Sequence, residues 1–287
     1  MARVMPIPNV TALVATCWSN AETQARALLA QRYFDKDEEF ITQLFHGEFR
    51  VTIEGAAGSG AVKQAFLTDL KSHFPQLHSG DLERLATGVS ATATLHPREV
   101  EGNTGGDLGL VLIRPNVNAH RFKQSMLSVD QEYCRGLLCQ AKIKRRMSRC
   151  HNPQWGGFTP NQRKILPNRM GYPALLLYEY KDTQRRSLLP FQWQICVGMK
   201  FDDVEEWLKS DAFPAHMGSD KIIRLLGNNK IGTDDKCIID EYIAPTVRDT
   251  LVVWVGRPPD QGPPLDFHLQ HRTYQRQTQS VHTHRMH

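Results

Sequence analysis

Two short strings hold residue types that do chemistry together: GGDLGLVL at 105–112 and LLCQAKIKRR at 137–146. Both are rich in Leu, Val and Ile, which predicts strands over 107–113 and 136–143. Side chains alternate between the two faces of a strand. Leu108, Leu110 and Leu112 therefore share one face of the first strand and leave Asp107 on the other. In the second strand Leu137, Cys139 and Ala141 share one face, with Gln140 and Lys142 opposite. If the two strands are neighbours, an acid, an amide and an amine converge at one end of a sheet. A carboxylate and a backbone carbonyl, here that of Ala141, can hold Mg²⁺, a hard cation that takes oxygen ligands and keeps several waters. The lysine beside them can position the attacking water and offset charge developing on a phosphate.

With Gly106-Asp107 on one strand and Gln140-Ala141-Lys142 on the next, the chain resembles the PD-(D/E)xK nuclease superfamily. Within it, the Mrr-like restriction endonucleases, whose last motif has Gln in place of an acid (D…QxK), are the nearest in pattern. The resemblance covers roughly residues 20 to 200. It implies a mixed sheet flanked by helices, with an acid from an early helix completing the site. It also implies hydrolysis of DNA phosphodiester bonds with Mg²⁺, or Mn²⁺ as a substitute, in defence against foreign DNA. Gln140 would stand among the metal-site residues as the neutral replacement.

Two acids are candidates to complete that site. Glu38, in EEFIT, falls on the edge of a helical stripe of Phe34, Ile41 and Phe45, whereas Glu39 points away from it. Glu38 is favoured on that ground; the competing reading is a helix cap formed with Asp35, at capping-box spacing. Glu101 precedes Asp107 by one loop and is the second candidate. Just beyond the second strand, Lys144, Arg145, Arg146 and Arg149 are expected to grip phosphates, a contact without sequence information, or else to form a solvated basic loop. Trp155 either stacks on a base or anchors a loop. Zinc at Cys134, Cys139, Cys150 and His151 is disfavoured, because Cys139 shares the core face of its strand.

The elements that must position these groups are partly legible. Helical spacing runs from Glu22 to Phe49, as one helix or two joined near Asp35, and resumes from Ala61 to Phe74. Between them GAAGSG, residues 55–60, lacks the Lys and Ser/Thr of a phosphate-binding loop and is expected to be an ordinary loop. Thr159 to Met170 reads as a short helix, with Pro160 in its first turn and Gly171 past its end. Further strands are expected at 174–180 and 251–255. Apolar strands separated by helices imply an α/β fold with the sheet covered on both faces. The stretch 114–135 is longer than a hairpin requires, so it is expected to be an excursion or a sign that the strands are not partners.

The chain as a whole has 287 residues, 40% hydrophobic and 23% charged, which excludes collagen, coiled coil and wholesale disorder. No apolar run approaches the roughly 18 residues of a membrane span. Pro6 and Pro8 interrupt the first twenty residues, which argues against a signal peptide. The six scattered cysteines suit a reduced, cytoplasmic protein. A net charge of +5 suits a nucleic-acid partner without requiring one. The expected division is a nuclease-like α/β domain over 1–256 and a Pro/Gln/His-rich arm or tail over 257–287. No recognition module is evident, so specificity is expected to come from the 114–135 insertion or from a sensor or recognition subunit, a partner beside DNA. Two other classes remain open: a catalytically inactive nuclease-fold subunit that binds nucleic acid or a partner protein, and an interaction protein of a larger complex.

Overall fold

Apolar residues three and four apart organise the helical layer. A computed structural model describes residues 5–31, 38–87, 89–95, 108–117, 129–146, 153–168, 174–181, 187–196, 198–210, 217–235 and 249–254. α1 (Pro8–Gln31) buries Val10, Val14, Cys17, Trp18, Ala21 and Ala25 along one stripe. Its first turn is capped by another helix. Asp69 of α3 (Ala61–His73) accepts from the backbone N–H of Asn9 at 2.9 Å and of Val10 at 3.0 Å. A buried acid thus satisfies donors that a helix start leaves open and meets the positive end of its dipole. α2 (Glu38–Gly58) buries Ile41, Thr42, Phe45, His46, Phe49 and Ile53. The Trp18 ring lies 4.5 Å from Phe45 and 5.1 Å from Phe49, joining the two helices.

α1 and α2 are separate elements, with residues 32–37 between them outside the described residues. α1 begins at Pro8, well before the Glu22 at which helical spacing first becomes legible. The glycine-rich piece departs from expectation. Residues 55–58 form the last turn of α2, and only Ser59 and Gly60 make the break. Ala56 and Ala57 are strong helix formers and offset the cost of about 1 kcal/mol for each flanking glycine. The chain reverses at Gly60, whose φ of 78° suits a residue without Cβ. α4 (Ser79–Leu85) then leads into the sheet.

The sheet is mixed. Its strands are β1 (Ser90–Leu95), β2 (Leu108–Val117), β3 (Val129–Arg146), β4 (Pro153–Trp155), β5 (Ala174–Tyr178), β6 (Gln192–Ile195), β7 (Met217–Gly218) and β8 (Asp249–Trp254). Their order is β1-β8-β2-β3-β5-β6-β7, with β4 on the far end of β3. β2 with β8 and β3 with β5 are parallel, and the other pairs are antiparallel. β2 and β3 are direct partners, with Leu108 opposite Cys139.

The expected excursion over 114–135 is therefore a correction. β2 continues to Val117 and β3 starts at Val129, so half of that stretch extends the antiparallel pair, and residues 118–128 lie outside the described residues. Pro115 conceals this in the sequence. It can donate no ladder hydrogen bond, yet it pairs with Glu132 where the register shifts before Val117, the kind of irregularity at which a strand tolerates proline. The short helix is α5 (Pro160–Ile165), closed by a capping box in which Thr159 accepts from Gln162 N–H and Gln162 accepts from Thr159 N–H. A 3-10 turn, Leu166–Asn168, follows it.

β5 is buried at every position and divides its side chains between two clusters. Ala174, Leu176 and Tyr178 join the larger one, with Cys139, Ala141 and Ile143 of β3 and the apolar stripes of α1, α2 and α3. Leu175 and Leu177 join a smaller one with Trp155, Phe158, Leu166, and Val204 and Leu208 of α6 (Phe201–Ser210). Alternating membership means that both faces are covered, which is why ALLLY reads as a continuous apolar run. Trp193 is core and Trp207 is half-buried. The side chain of Trp254 and the arm expected over 257–287 lie outside the described residues. Among the described residues no helix is long and apolar enough to cross a membrane.

α7 (Ser219–Gly227) closes on α1 through a buried polar network. Glu22 accepts from Phe191 N–H and from the Ser219 hydroxyl, each at 2.7 Å, and Ser219 Oγ accepts from Trp193 Nε1 at 2.9 Å. Burial pushes the Glu22 carboxyl above the ordinary glutamate value of 4.5, although both hydrogen bonds and Arg26 pull it down. The folded state then holds a proton that the unfolded chain has released. Stability therefore falls as pH rises from the unfolded value through the raised one, and is level above it. Glu22→Gln should remove that part of the slope. Urea midpoints measured from about pH 4 to 7 check this, since glutamates titrate near the lower end of that range. Equal slopes in both proteins would show that Glu22 is not the source.

Candidate functional site

Alternation on β3 sets the site's two faces. Cys139, Ala141 and Ile143 pack into the larger cluster, and Gln140 and Lys142 lie opposite, only 1% and 2% exposed. Parallel pairing aligns Gln140 with Leu175 and Lys142 with Leu177. The Lys142 ammonium lies 5.0 Å from the centroid of the Phe158 ring. A lysine this buried keeps its charge only with company.

That company is Glu38, the first residue of α2. Its Oε1 accepts from Ile143 N–H at 3.0 Å, and its Oε2 lies 3.8 Å from Lys142 Nζ. One turn on, Thr42 donates to the Glu38 carbonyl at 2.8 Å and shares a 2.9 Å hydrogen bond with the Tyr178 hydroxyl. The start of α2 is thereby fastened to β5. The Glu38 carboxylate reaches β3 rather than its own helix, and Asp35, the other half of the proposed cap, lies outside the described residues. Glu39 instead accepts from Gln43 at 3.3 Å within α2, as its position off the stripe implies.

β2 starts at Leu108, opposite Cys139, so Ala141 and Ile143 lie beyond its described end. Alternate residues of a strand turn their peptide groups to the same edge. Ile143 uses that edge for Glu38 and for Gly156, whose N–H donates to the Ile143 carbonyl at 2.9 Å. The Ala141 carbonyl shares the edge. The Gln140 amide approaches that carbonyl, with Nε2 at 3.4 Å.

Of the remaining expected residues, Asp107, Glu101 and Arg149 lie outside the described residues. Arg145 and Arg146 are opposite Gln154 and Pro153 in the β3–β4 register, and their side chains are not among those described. Lys144 is 3.1 Å from Glu179 Oε1 and 5.5 Å from the Trp155 ring centroid. A phosphate at Lys144 would compete with Glu179. Trp155 is 6% exposed within the smaller cluster, which makes it an anchor rather than an open stacking surface. Glu179, Phe158 and Gly156 are beyond the reach of the sequence reasoning. Glu179 follows a legible strand, but only the parallel register of β5 with β3 sets it beside Lys144.

The Glu38 carboxylate, the Ala141 carbonyl and the Gln140 amide oxygen are oxygen donors of the kind Mg²⁺ accepts, although it is the Gln140 nitrogen that meets the Ala141 carbonyl. They fit such an ion in chemistry and, among the described residues, supply one carboxylate; no group of three His, Cys, Asp or Glu suited to a metal occurs among those residues. Thiol ligation is disfavoured among the described residues, outside which lie Cys150, His151 and the Cys134 side chain. Cys139 is buried in the core, and burial pushes the Cys196 thiol up to about 12. Comparison of the chain with protein-family models, with curated proteins and with solved structures gives no match.

Proposed function

We propose that this chain is a metal-dependent endonuclease that hydrolyses DNA phosphodiester bonds on a restriction-endonuclease-like core. The observation that carries the reading is the pairing of Glu38 with Lys142 in the second half of β3, two residues beyond Gln140 and next to the strand that begins one residue after Asp107. Asp107, Glu38 and the Ala141 carbonyl would hold Mg²⁺, with Mn²⁺ as a substitute, Gln140 standing where an acid would otherwise be and Glu101 a further donor. The ion supplies charge neutralisation at the phosphate and a water of lowered pKa. Lys142, screened from solvent and already paired with a carboxylate, orients that water and meets the negative charge that builds on the phosphate. Lys144, Arg145, Arg146 and Arg149 would grip flanking phosphates, and the 257–287 arm would extend from the core. A cytoplasmic role in defence against foreign DNA, with a sensor or recognition subunit, completes the proposal.

A second reading has an observation of its own. Glu38 already binds Ile143 N–H and faces Lys142, so both residues have structural work without any metal. On that reading the chain is an inactive nuclease-fold subunit that binds nucleic acid or a partner. Incubating the full chain with plasmid and phage DNA in Mg²⁺ or Mn²⁺ separates the two. Nicking or linearisation that EDTA stops is expected for the nuclease. DNA binding with no cleavage under either metal favours the second reading.

A further inference from the structure

Gly156 stands where the candidate site is tightest. A Cβ built on it meets Glu38 Oε1 at 2.8 Å and the Ile143 carbonyl oxygen at 3.6 Å. The same Oε1 accepts from Ile143 N–H, while Gly156 N–H donates to Ile143 O. Glu38 and Gly156, far apart in sequence, thus hold the two halves of one residue's backbone on the β3 edge.

Neither neighbour has easy room to withdraw. Trp155 and Phe158 on either side of Gly156 are 6% and 5% exposed in the smaller cluster, and they lie against Lys144 and Lys142 respectively. The backbone of Glu38 is tied through Thr42 to Tyr178. The group free to give way is the Glu38 carboxylate. We infer that Gly156 is a positioning residue: by presenting no side chain, it leaves the space in which the Glu38 carboxylate lies on Ile143 N–H and beside Lys142. Its consequence for metal binding rests on the nuclease reading; its effect on Glu38 does not.

A double-mutant cycle on the full chain tests the geometry. Gly156→Ala should lower the thermal midpoint by about 3 °C or more, the scale of a one-kcal/mol loss in a chain of this size. Glu38→Ala should cost less in that background than in the wild type, because it also removes the clash. Fully additive effects would overturn the inference. If Gly156→Ala does not fold, the double variant should, and failure of both would overturn it equally.

Mn²⁺ binding followed by electron paramagnetic resonance on the protein alone tests the consequence. Gly156→Ala should weaken it about tenfold, as changes behind a metal ligand commonly do. A loss of folded protein alone would lower the number of sites and leave their affinity intact. Unchanged affinity in folded Gly156→Ala would refute the role at the metal site. A wild type that binds no Mn²⁺ would remove the nuclease reading instead, with the stability cycle still deciding for or against Gly156.

Discussion

On the proposed nuclease reading, Lys142→Met should fold, bind metal and lose DNA cleavage by about a thousandfold or more, the scale of removing a charge aimed at a developing anion. Methionine keeps an unbranched stem in a site where the lysine side chain is 3% exposed, and it can still lie against Phe158. Glu38 keeps its hydrogen bond from Ile143 N–H, so the start of α2 stays on β3. What disappears is the ammonium alone. Cleavage time courses with Mn²⁺ binding measured in parallel check the split. On the proposed nuclease reading, Asp107→Ala should instead lose cleavage and metal together while DNA binding remains near normal, because it would remove a ligand and no phosphate contact. A Lys142→Met protein that cuts within about tenfold of wild type would mean that this lysine is only an ion-pair partner.

Gly232→Ala should be strongly destabilising. The loop after α7 is laid on the middle of the central strand by two backbone hydrogen bonds between Gly136 and Thr233, each 2.8 Å. Arg135 adds bonds to the carbonyls of Ile231 at 2.7 Å and Gly232 at 2.9 Å. Gly232 has a φ of 77°, and a Cβ there would lie 2.5 Å from Gly136 O and 2.9 Å from Leu226 Cδ1. The left-handed backbone costs an alanine about 1–2 kcal/mol. Overpacking adds about 1–3 kcal/mol, toward the upper end because the nearest atom is a strand carbonyl and cannot rotate away. A loss of about 3 kcal/mol, or a midpoint lower by about 6–12 °C, is the expected result in a urea or thermal melt. A change below about 1 kcal/mol would show that the loop can leave β3 cheaply.

Local chemistry makes much of this molecule legible in its residues. The strands 107–113, 136–143, 174–180 and 251–255 correspond to β2, β3, β5 and β8, because apolar β-branched and leucine-rich runs have few other ways to be buried. Alternation alone separates Gln140 and Lys142 from Cys139 and Ala141, and the stripe of α2 singles out Glu38 over Glu39. These inferences depend only on periods of 2 and 3.6 residues, which every strand and helix obeys.

Pairing is different, because it depends on which distant segments bury each other's faces. Nothing local in EEFIT says that Glu38 meets Ile143, over a hundred residues away, and nothing in LLYEY says that Glu179 falls beside Lys144. The strands β1, β4, β6 and β7 are equally illegible, since very short segments such as PQW and MG owe their extended form to the neighbour that takes their hydrogen bonds. Proline points the wrong way at residue 115, because whether a missing N–H matters is decided by the register of the partner strand. The order of residues along the chain dictates which side chains stand on which face of an element. Which of those faces meet is settled only by long-range packing, because register and helix docking follow from the burial of whole apolar surfaces rather than from any residue's own preference.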